Sequence, residues 1–562
     1  MGRKNNFEVT PFSAYNEKEF DLLSRMVPMR DGRKLNTLVF LPRDNSKPLH
    51  ALLFRSAYLR REYLPMPITF ALKQGYAAVC QHCRGTGTSE GEFCPSRAEF
   101  EINDSEDTLD WIVQQPWSSG KVVFIGSSYS GWTQWAAAFT GHPAIAGFRP
   151  HVAARFGRNS MVVKGGGSYL GLMVNWGLTM YHRNTYGYEN VPDYDASLAH
   201  LPVSEMDVLH HKTVVNYYRD FIDSTREPAD RREKIRNKFS NITAPALISG
   251  GWFDIFKEEN FESFKLMKEF AATPGARQYT RLIMGPWVHG GLLNKDIFGE
   301  ENGHQGLTEM QDSFTCRIFS HPGEDPLPGI PAVKYFMLGE NCWRTSETWP
   351  PAGREKVFYL ASGAEMREEM SEEAESISSY TYDPAEPTPS YDGTRNHCGY
   401  FDFSATEKRN DVLTFTTGEL EKNLVIAGNV KVRLFARSSA PDTDFFATLT
   451  DVYPDGRSMF LTSGMVRARF SRSLEKAEFL QPGEIREYLI DLGEIANTFL
   501  PGHRVRISLH SASFPAFSRN LNTTAAPCEG VTMNTAFQEI FHDSRYPSAL
   551  LLPELDEAAA DK

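Results

Sequence analysis

The feature that most constrains the fold is a strand–helix alternation that stops and then resumes. Over residues 20–150 short apolar runs recur: VFLP ending at Pro42, ALLFR (Ala51–Arg55), YAAVCQH (Tyr76–His82), KVVFIG (Lys121–Gly126) and AIAGFRPHVAA (Ala144–Ala154). Helix-like segments separate the later ones. In DSEDTLDWIVQQ, Asp104 suits an N-cap, acidic residues follow it, and Leu109, Ile112 and Val113 share a face. GWTQWAAAF (Gly131–Phe139) is a second helix. Strands that are continuously apolar rather than alternating, with helices between them, predict a parallel sheet covered on both faces.

Between about 155 and 241 the rhythm lapses into aromatic-rich, helix-prone stretches such as LGLMVNWGLTMYH and EPADRREKIRNKF. It resumes with PALISGGWFD, the helix NFESFKLMKEF and the strand RLIMGPWVH. A helical block between two parts of one sheet is expected to cap the sheet's C-terminal edge, where open α/β sheets bind ligands. From about 330 onward VKVRLFARSS and TDFFATLTDV alternate apolar and polar residues, and YPDGR and LPGHR mark turns. Short strands with Gly and Pro turns predict a sandwich or jelly roll. The expected division is 1–154 and 242–325 for the two parts of an α/β catalytic domain, 155–241 for the cap, and 326–562 for the β domain. At 562 residues the chain exceeds one core, since single cores stop growing at about 250–300 residues.

Composition narrows the classes of function. An apolar fraction of 41% with 23% charged residues argues against wholesale disorder, and a net charge of -12 lacks the basic clusters that nucleic acid or anionic membrane require. The N-terminal segment has no apolar run after its basic residues, and no stretch reaches the roughly 20 apolar residues of a membrane span. Seven scattered cysteines do not form a disulfide framework, so a cytoplasmic location is the expectation. Cys80 and Cys83 have C-x-x-C spacing, but they end a strand that reads as core and lack further ligands at zinc-site spacing.

The chemistry centres on KVVFIGSSYSGWTQW, a strand, a tight turn holding serines, and a helix. That is the context of a nucleophile elbow, in which a strained turn exposes a serine Oγ above the sheet. Sharp turns need small residues two positions to either side. Ser128 has Gly126 and Ser130 there, whereas Ser127 has Ile125 and Ser130 has Trp132. A serine needs an imidazole to take its proton, and the imidazole needs a carboxylate to fix its tautomer. Asp254 ends PALISGGWFD and His289 ends RLIMGPWVH, giving the α/β-hydrolase order of Ser, acid and His.

RSAYLR, QHCRGTGTSEGEF, EDTLDWI, GSSYSGWTQW, GGWFD, GPWVHG, DTDFFATLTDVYPDGR, FLPGHRVRI and SFPAFSRN together span nearly the whole chain. With these motifs the sequence resembles the cocaine-esterase-like serine hydrolases, relatives of the α-amino-acid ester hydrolases and Xaa-Pro dipeptidyl-peptidases. The resemblance implies an α/β-hydrolase domain with a helical cap and a C-terminal jelly roll. It also implies an oxyanion hole made of the Tyr129 backbone N–H and the Tyr58 phenol, and no cofactor. Amino-ester hydrolases of this group hold a substrate ammonium with acidic side chains shortly after the triad aspartate. Here Ile255, Phe256 and Lys257 follow Asp254, with Glu258 and Glu259 only after them, and Phe256 is expected to line an apolar or aromatic acyl pocket. The expected partner is a small-molecule ester, with neither nucleic acid nor membrane, and homo-oligomers are allowed. A dipeptidyl-peptidase or acylase on the same triad is the alternative within this chemistry. A catalytically silent interaction protein is the alternative outside it.

Overall fold

The computed structural model describes residues 10–11, 20–43, 46–58, 63–64, 67–154, 163–222, 237–304, 306–390 and 399–556. The chain forms two compact units, one of Met1–Gly157 with Asp230–Lys334 and one of Arg158–Ala229 with Tyr335–Lys562.

The first unit is built on β1 (Phe20–Pro28), β2 (Lys34–Pro42), β3 (Leu49–Ser56), β4 (Ala77–His82), β5 (Ser118–Ser127), β6 (Ile145–His151), β7 (Leu247–Phe253) and β8 (Arg281–Val288). They lie side by side in the order β8-β7-β6-β5-β3-β4-β2-β1. From β8 to β4 all neighbours are parallel, and β4–β2 and β2–β1 are antiparallel. Every residue of β4, β7 and β8 is buried. This is the physical reason for their largely apolar sequences: each is covered on both faces, so a polar residue such as Gln81 enters only with buried partners.

Helices α1 (Pro67–Lys73), α2 (Ala98–Val113), α3 (Tyr129–Ala138), α4 (Lys257–Phe270) and α5 (Leu307–Ser320) provide cover. Helix α3 packs on β5, β6 and α2, and Trp135 on α3 is almost wholly buried against Phe148 of β6, edge to face at 5.1 Å. Helix α2 differs from expectation at its start. It begins at Ala98, with Arg97 at the cap position, so Asp104 sits inside the helix rather than at its N-cap. Asp104 instead accepts two hydrogen bonds from the Arg84 guanidinium, at 3.0 and 2.5 Å. A distant arginine, invisible to local pattern, uses the carboxylate that a cap would have used. Leu109 and Ile112 are buried, while Val113 is exposed at the helix end.

The second unit contains short helices and an extended β structure. LGLMVNWGLTMYH is helical as expected, with a π-helical turn over Met173–Leu178 leading into a helix at Thr179–Tyr186. EPADRREKIRNKF lies largely outside the described residues. Residues Arg158–Ala229 group with the β-rich part, whose boundary falls after Lys334. Its main strands are β9 (Leu424–Ser438), β10 (Asp444–Val452), β11 (Ser458–Arg467), β12 (Arg486–Phe499) and β13 (Arg504–His510). β9 pairs with β12, and β10 with both β11 and β13, all antiparallel. β9 alternates buried and half-buried residues along most of its length, whereas every residue of β10 is buried. Polar groups on both faces of β10 are internal and find buried partners. Asp444 pairs with Arg467 at 2.8 Å, Thr450 accepts from Ser458 at 2.7 Å, and Asp451 meets His503 at 2.8 Å.

Among the described residues no helix is long and apolar enough to cross a membrane. Cys80 and Cys83 are both buried, and burial pushes the Cys80 thiol up to about 12. Burial, with the nearby Glu101 carboxylate, also raises that of Cys83.

Candidate active site

Ser128 stands between the end of β5 and the start of α3 with φ 56° and ψ -127°. A non-glycine residue there is strained and persists only where its surroundings over-determine it. Backbone hydrogen bonds supply part of that constraint. Ser128 N–H donates to the His151 carbonyl at 3.0 Å, and the Ser128 carbonyl accepts from Gly131 at 2.9 Å and Trp132 at 3.0 Å. The small residues around it are sterically required. A Cβ at Gly126, whose φ is 137°, would lie 2.7 Å from the Ser130 Cβ, and one at Gly131 would lie 2.3 Å from that of Ala153. The turn therefore tolerates Ser130 because Gly131 takes the close approach to the chain after β6.

His289 and Asp254 follow the adjacent parallel strands β8 and β7. The pairing of β7 with β8 shifts register between Gly251 and Phe253, immediately before Asp254. His289 occupies a tight turn closed by reciprocal hydrogen bonds between Val288 and Gly291, at 2.9 and 3.1 Å. These two strand ends bring the side chains together. His289 Nδ1 is 2.7 Å from Asp254 Oδ2, and His289 Nε2 is 3.0 Å from Ser128 Oγ. A carboxylate can only accept, so Nδ1 carries the hydrogen in this contact. The neutral imidazole then leaves Nε2 free to accept from the serine hydroxyl.

The Asp254 carboxylate is inaccessible to solvent, and its Oδ1 accepts the Phe256 backbone N–H at 2.7 Å. Burial works against a charged imidazolium at His289, but the charge and hydrogen bond of Asp254 outweigh it and raise the His289 pKa above its ordinary 6.5.

Tyr129 opens α3, so its backbone N–H belongs to a helix N-terminus, where amides point outward along the favourable end of the dipole. The Tyr58 ring lies edge-on to the Tyr129 ring at 6.4 Å and 75°. Tyr58 N–H is anchored 3.1 Å from Ser56 Oγ. The structure thus brings Tyr58 beside the residue that follows Ser128. Phe256 is buried with its ring edge-to-face on His289, at 5.3 Å and 79°. Lys257 is buried and 3.4 Å from Glu258, forming an ion pair at the start of α4.

Sequence reasoning missed what lies beneath the elbow. The Tyr129 hydroxyl donates to Glu101 Oε1 at 2.9 Å, and Arg55 Nη1 donates to Glu101 Oε2 at 2.9 Å. Arg55 Nε reaches Gln81 at 2.7 Å, and Gln81 reaches Thr37 at 3.0 Å. The only hint in the sequence was an arginine inside the otherwise apolar run ALLFR, which in a covered strand demands a buried partner.

Comparison with known proteins identifies the family of the chain. Residues 31–291 match the family described as X-Pro dipeptidyl-peptidase (S15 family), and residues 328–551 match the X-Pro dipeptidyl-peptidase C-terminal non-catalytic domain. The chain is 33% identical to the cocaine esterase of Rhodococcus sp. (strain MB1 Bresler), covering 94% of this chain and 97% of that protein. In fold it is similar to an aminopeptidase from a marine sediment archaeon, Thaumarchaeota archaeon, with TM-score 0.80 and 24% identity over 96% of this chain and 97% of the other. It is also similar to an α-amino acid ester hydrolase, with TM-score 0.78 and 23% identity over 95% and 97%. These matches fit an α/β-hydrolase-like domain with a C-terminal β-rich domain in this chain. The chain belongs to the cocaine-esterase-like family of serine hydrolases, related to the α-amino-acid ester hydrolases and the Xaa-Pro dipeptidyl-peptidases.

Proposed function

We propose that the chain hydrolyses carboxylic esters of small molecules, with Ser128 as nucleophile, His289 as general base and acid, and Asp254 as the group that orients the imidazole. The observation that carries this reading is the unbroken chain of contacts from Asp254 through His289 to a serine held at positive φ. In the first half-reaction Ser128 Oγ attacks the carbonyl carbon as its proton passes to His289 Nε2. The tetrahedral oxyanion is stabilised by the Tyr58 hydroxyl and the Tyr129 N–H. Collapse breaks the ester bond, and the proton on Nε2 goes to the departing alcohol. Water then attacks the acyl-enzyme with His289 again as base, and release of the acid restores Ser128.

An apolar or aromatic acyl group is the proposed preference. Two features support it: Phe256 packs on the imidazole, and Glu258, one of the carboxylates shortly after Asp254, is ion-paired with Lys257. The proposed organisation keeps 155–241 as a helical insertion and 326–562 as a jelly roll, in a cytoplasmic protein. The family match over residues 31–291 favours one second reading, release of N-terminal Xaa-Pro dipeptides from peptides on the same residues.

A fluorophosphonate probe tests the assignment. Covalent labelling and turnover should vanish in Ser128→Ala, with a loss in kcat of about 10⁶, and persist in Ser127→Ala. The reverse pattern would move the nucleophile. A screen across benzoyl esters, α-amino esters and Xaa-Pro amides separates the two substrate readings, and highest kcat/KM on the amides would sink the esterase assignment.

A further inference from the structure

We infer that Glu101 is a positioning residue that sets the separation of the two limbs of the oxyanion hole. This rests on the proposed assignment of Tyr58 and the Tyr129 N–H as donors.

Glu101 lies in the first turn of α2 and is buried. One carboxylate oxygen accepts from the Tyr129 hydroxyl and the other from Arg55, each at 2.9 Å. Tyr129 is the residue after the proposed nucleophile. Arg55 lies near the end of β3, just before the Ser56–Tyr58 segment that carries the other donor. Arg55 is itself fully buried and clamped, with Nη1 2.5 Å from Ser105 Oγ and its carbonyl 3.2 Å from Thr133 Oγ1 on α3. A single carboxylate thus bridges the β3 limb and the α3 limb.

The bridge matters because the elbow is strained. A positive-φ serine is held only by what surrounds it, and the phenol of the next residue is one of its longest levers. With its hydroxyl tied to Glu101, the Tyr129 ring stays between Phe93, at 5.5 Å and 57°, and Tyr58, at 6.4 Å and 75°. The same anchor therefore orients the Tyr129 peptide and supports the face against which Tyr58 rests. Charge favours carboxylate over amide here. A glutamine could present its oxygen to Tyr129 or to Arg55, and its NH2 group would then face the other.

The decisive variant is Tyr129→Phe, which keeps the ring and the backbone N–H and removes only the tether. Its kcat on an activated ester should fall roughly ten- to hundred-fold, the scale of a misplaced rather than deleted donor, with KM within about two-fold. Inhibition by phenylboronic acid, whose adduct oxygen sits where the oxyanion forms, should weaken by the same factor as kcat/KM. Glu101→Gln is the second variant, expected to lose about ten-fold in kcat. The double variant should lose no more than the worse single one, because both cut one linkage. Wild-type kcat in a folded Tyr129→Phe overturns the inference, whatever its melting temperature, and so does an additive double variant. Tyr58→Phe separates this failure from failure of the underlying assignment. If Tyr58→Phe is impaired while the Glu101 and Tyr129 variants are not, the donors stand and the bridge falls. If Tyr58→Phe is also unimpaired, the oxyanion assignment itself is wrong.

Discussion

Both units of this protein bury arginine–carboxylate pairs, but they use them differently. In the first unit the Arg55–Glu101 pair lies beneath a strained serine and ends on the hydroxyl of the next residue. In the second, Arg467–Asp444 and Arg469–Asp442 share Asn520, whose amide donates to both carboxylates at 2.9 and 2.7 Å. That cluster ties β10 and β11 to the segment around Thr523 and Ala525, whose carbonyls accept from Arg469. A buried pair costs desolvation in either place, so its presence alone does not indicate function. What distinguishes the two is what the network ends on: the side chain of the residue that follows Ser128, or loops that must be held to a sheet.

The comparison can be broken or sharpened by a graded set of variants. Asp254→Asn should have the largest effect, about 10⁴ in kcat, since an amide can stabilise the wrong tautomer of His289. Steady-state kinetics with intact far-UV circular dichroism checks it, and a loss below ten-fold would remove Asp254 from the mechanism. Tyr58→Phe comes next, with a loss of roughly 10²–10³ in kcat and little change in KM, because an oxyanion donor acts where charge develops. A change confined to KM would make Tyr58 a packing residue.

The pH profile is a smaller but signed effect. The base must be neutral, and Asp254 raises the His289 pKa despite burial, so the acid limb of kcat/KM should have its midpoint above 6.5. In Asp254→Asn the raising influence is gone while burial remains, so the residual activity should have its midpoint shifted to lower pH. A wild-type midpoint below 6.5 would mean that burial dominates. The smallest effect on catalysis belongs to the second unit. Arg469→Ala leaves the buried Asp442 with its Asn520 hydrogen bond but without its ion-pair partner, and should cost about 3–5 kcal/mol of stability. Denaturant unfolding measures this, while kcat/KM of the folded protein should stay within about two-fold by the same argument that the pair is purely structural. A large kcat loss with unchanged stability would erase the distinction between the two networks.

The sites most legible from sequence were those with local signatures. Ser128, Asp254 and His289 each follow an apolar run, and the turn around Ser128 needs small residues that can be counted on the chain. Helix α2 was legible as an element but not in its detail, because the role of Asp104 was set by Arg84 from another segment. The full burial of β10 was hidden for the same reason. Its alternation of apolar and polar residues does not say whether the polar positions are covered, and only their partners in the fold show them to be internal.

By itself the sequence determined the covered strands, the order of serine, acid and histidine, and the sterically tight elbow, because backbone geometry and side-chain size act over a few residues. The tertiary structure alone decided that Glu101, 28 residues from Tyr129 and 46 from Arg55, bridges them. Hydrogen bonds and ion pairs depend on distances of about 3 Å between side chains, and no local pattern encodes which distant segments will meet at that range.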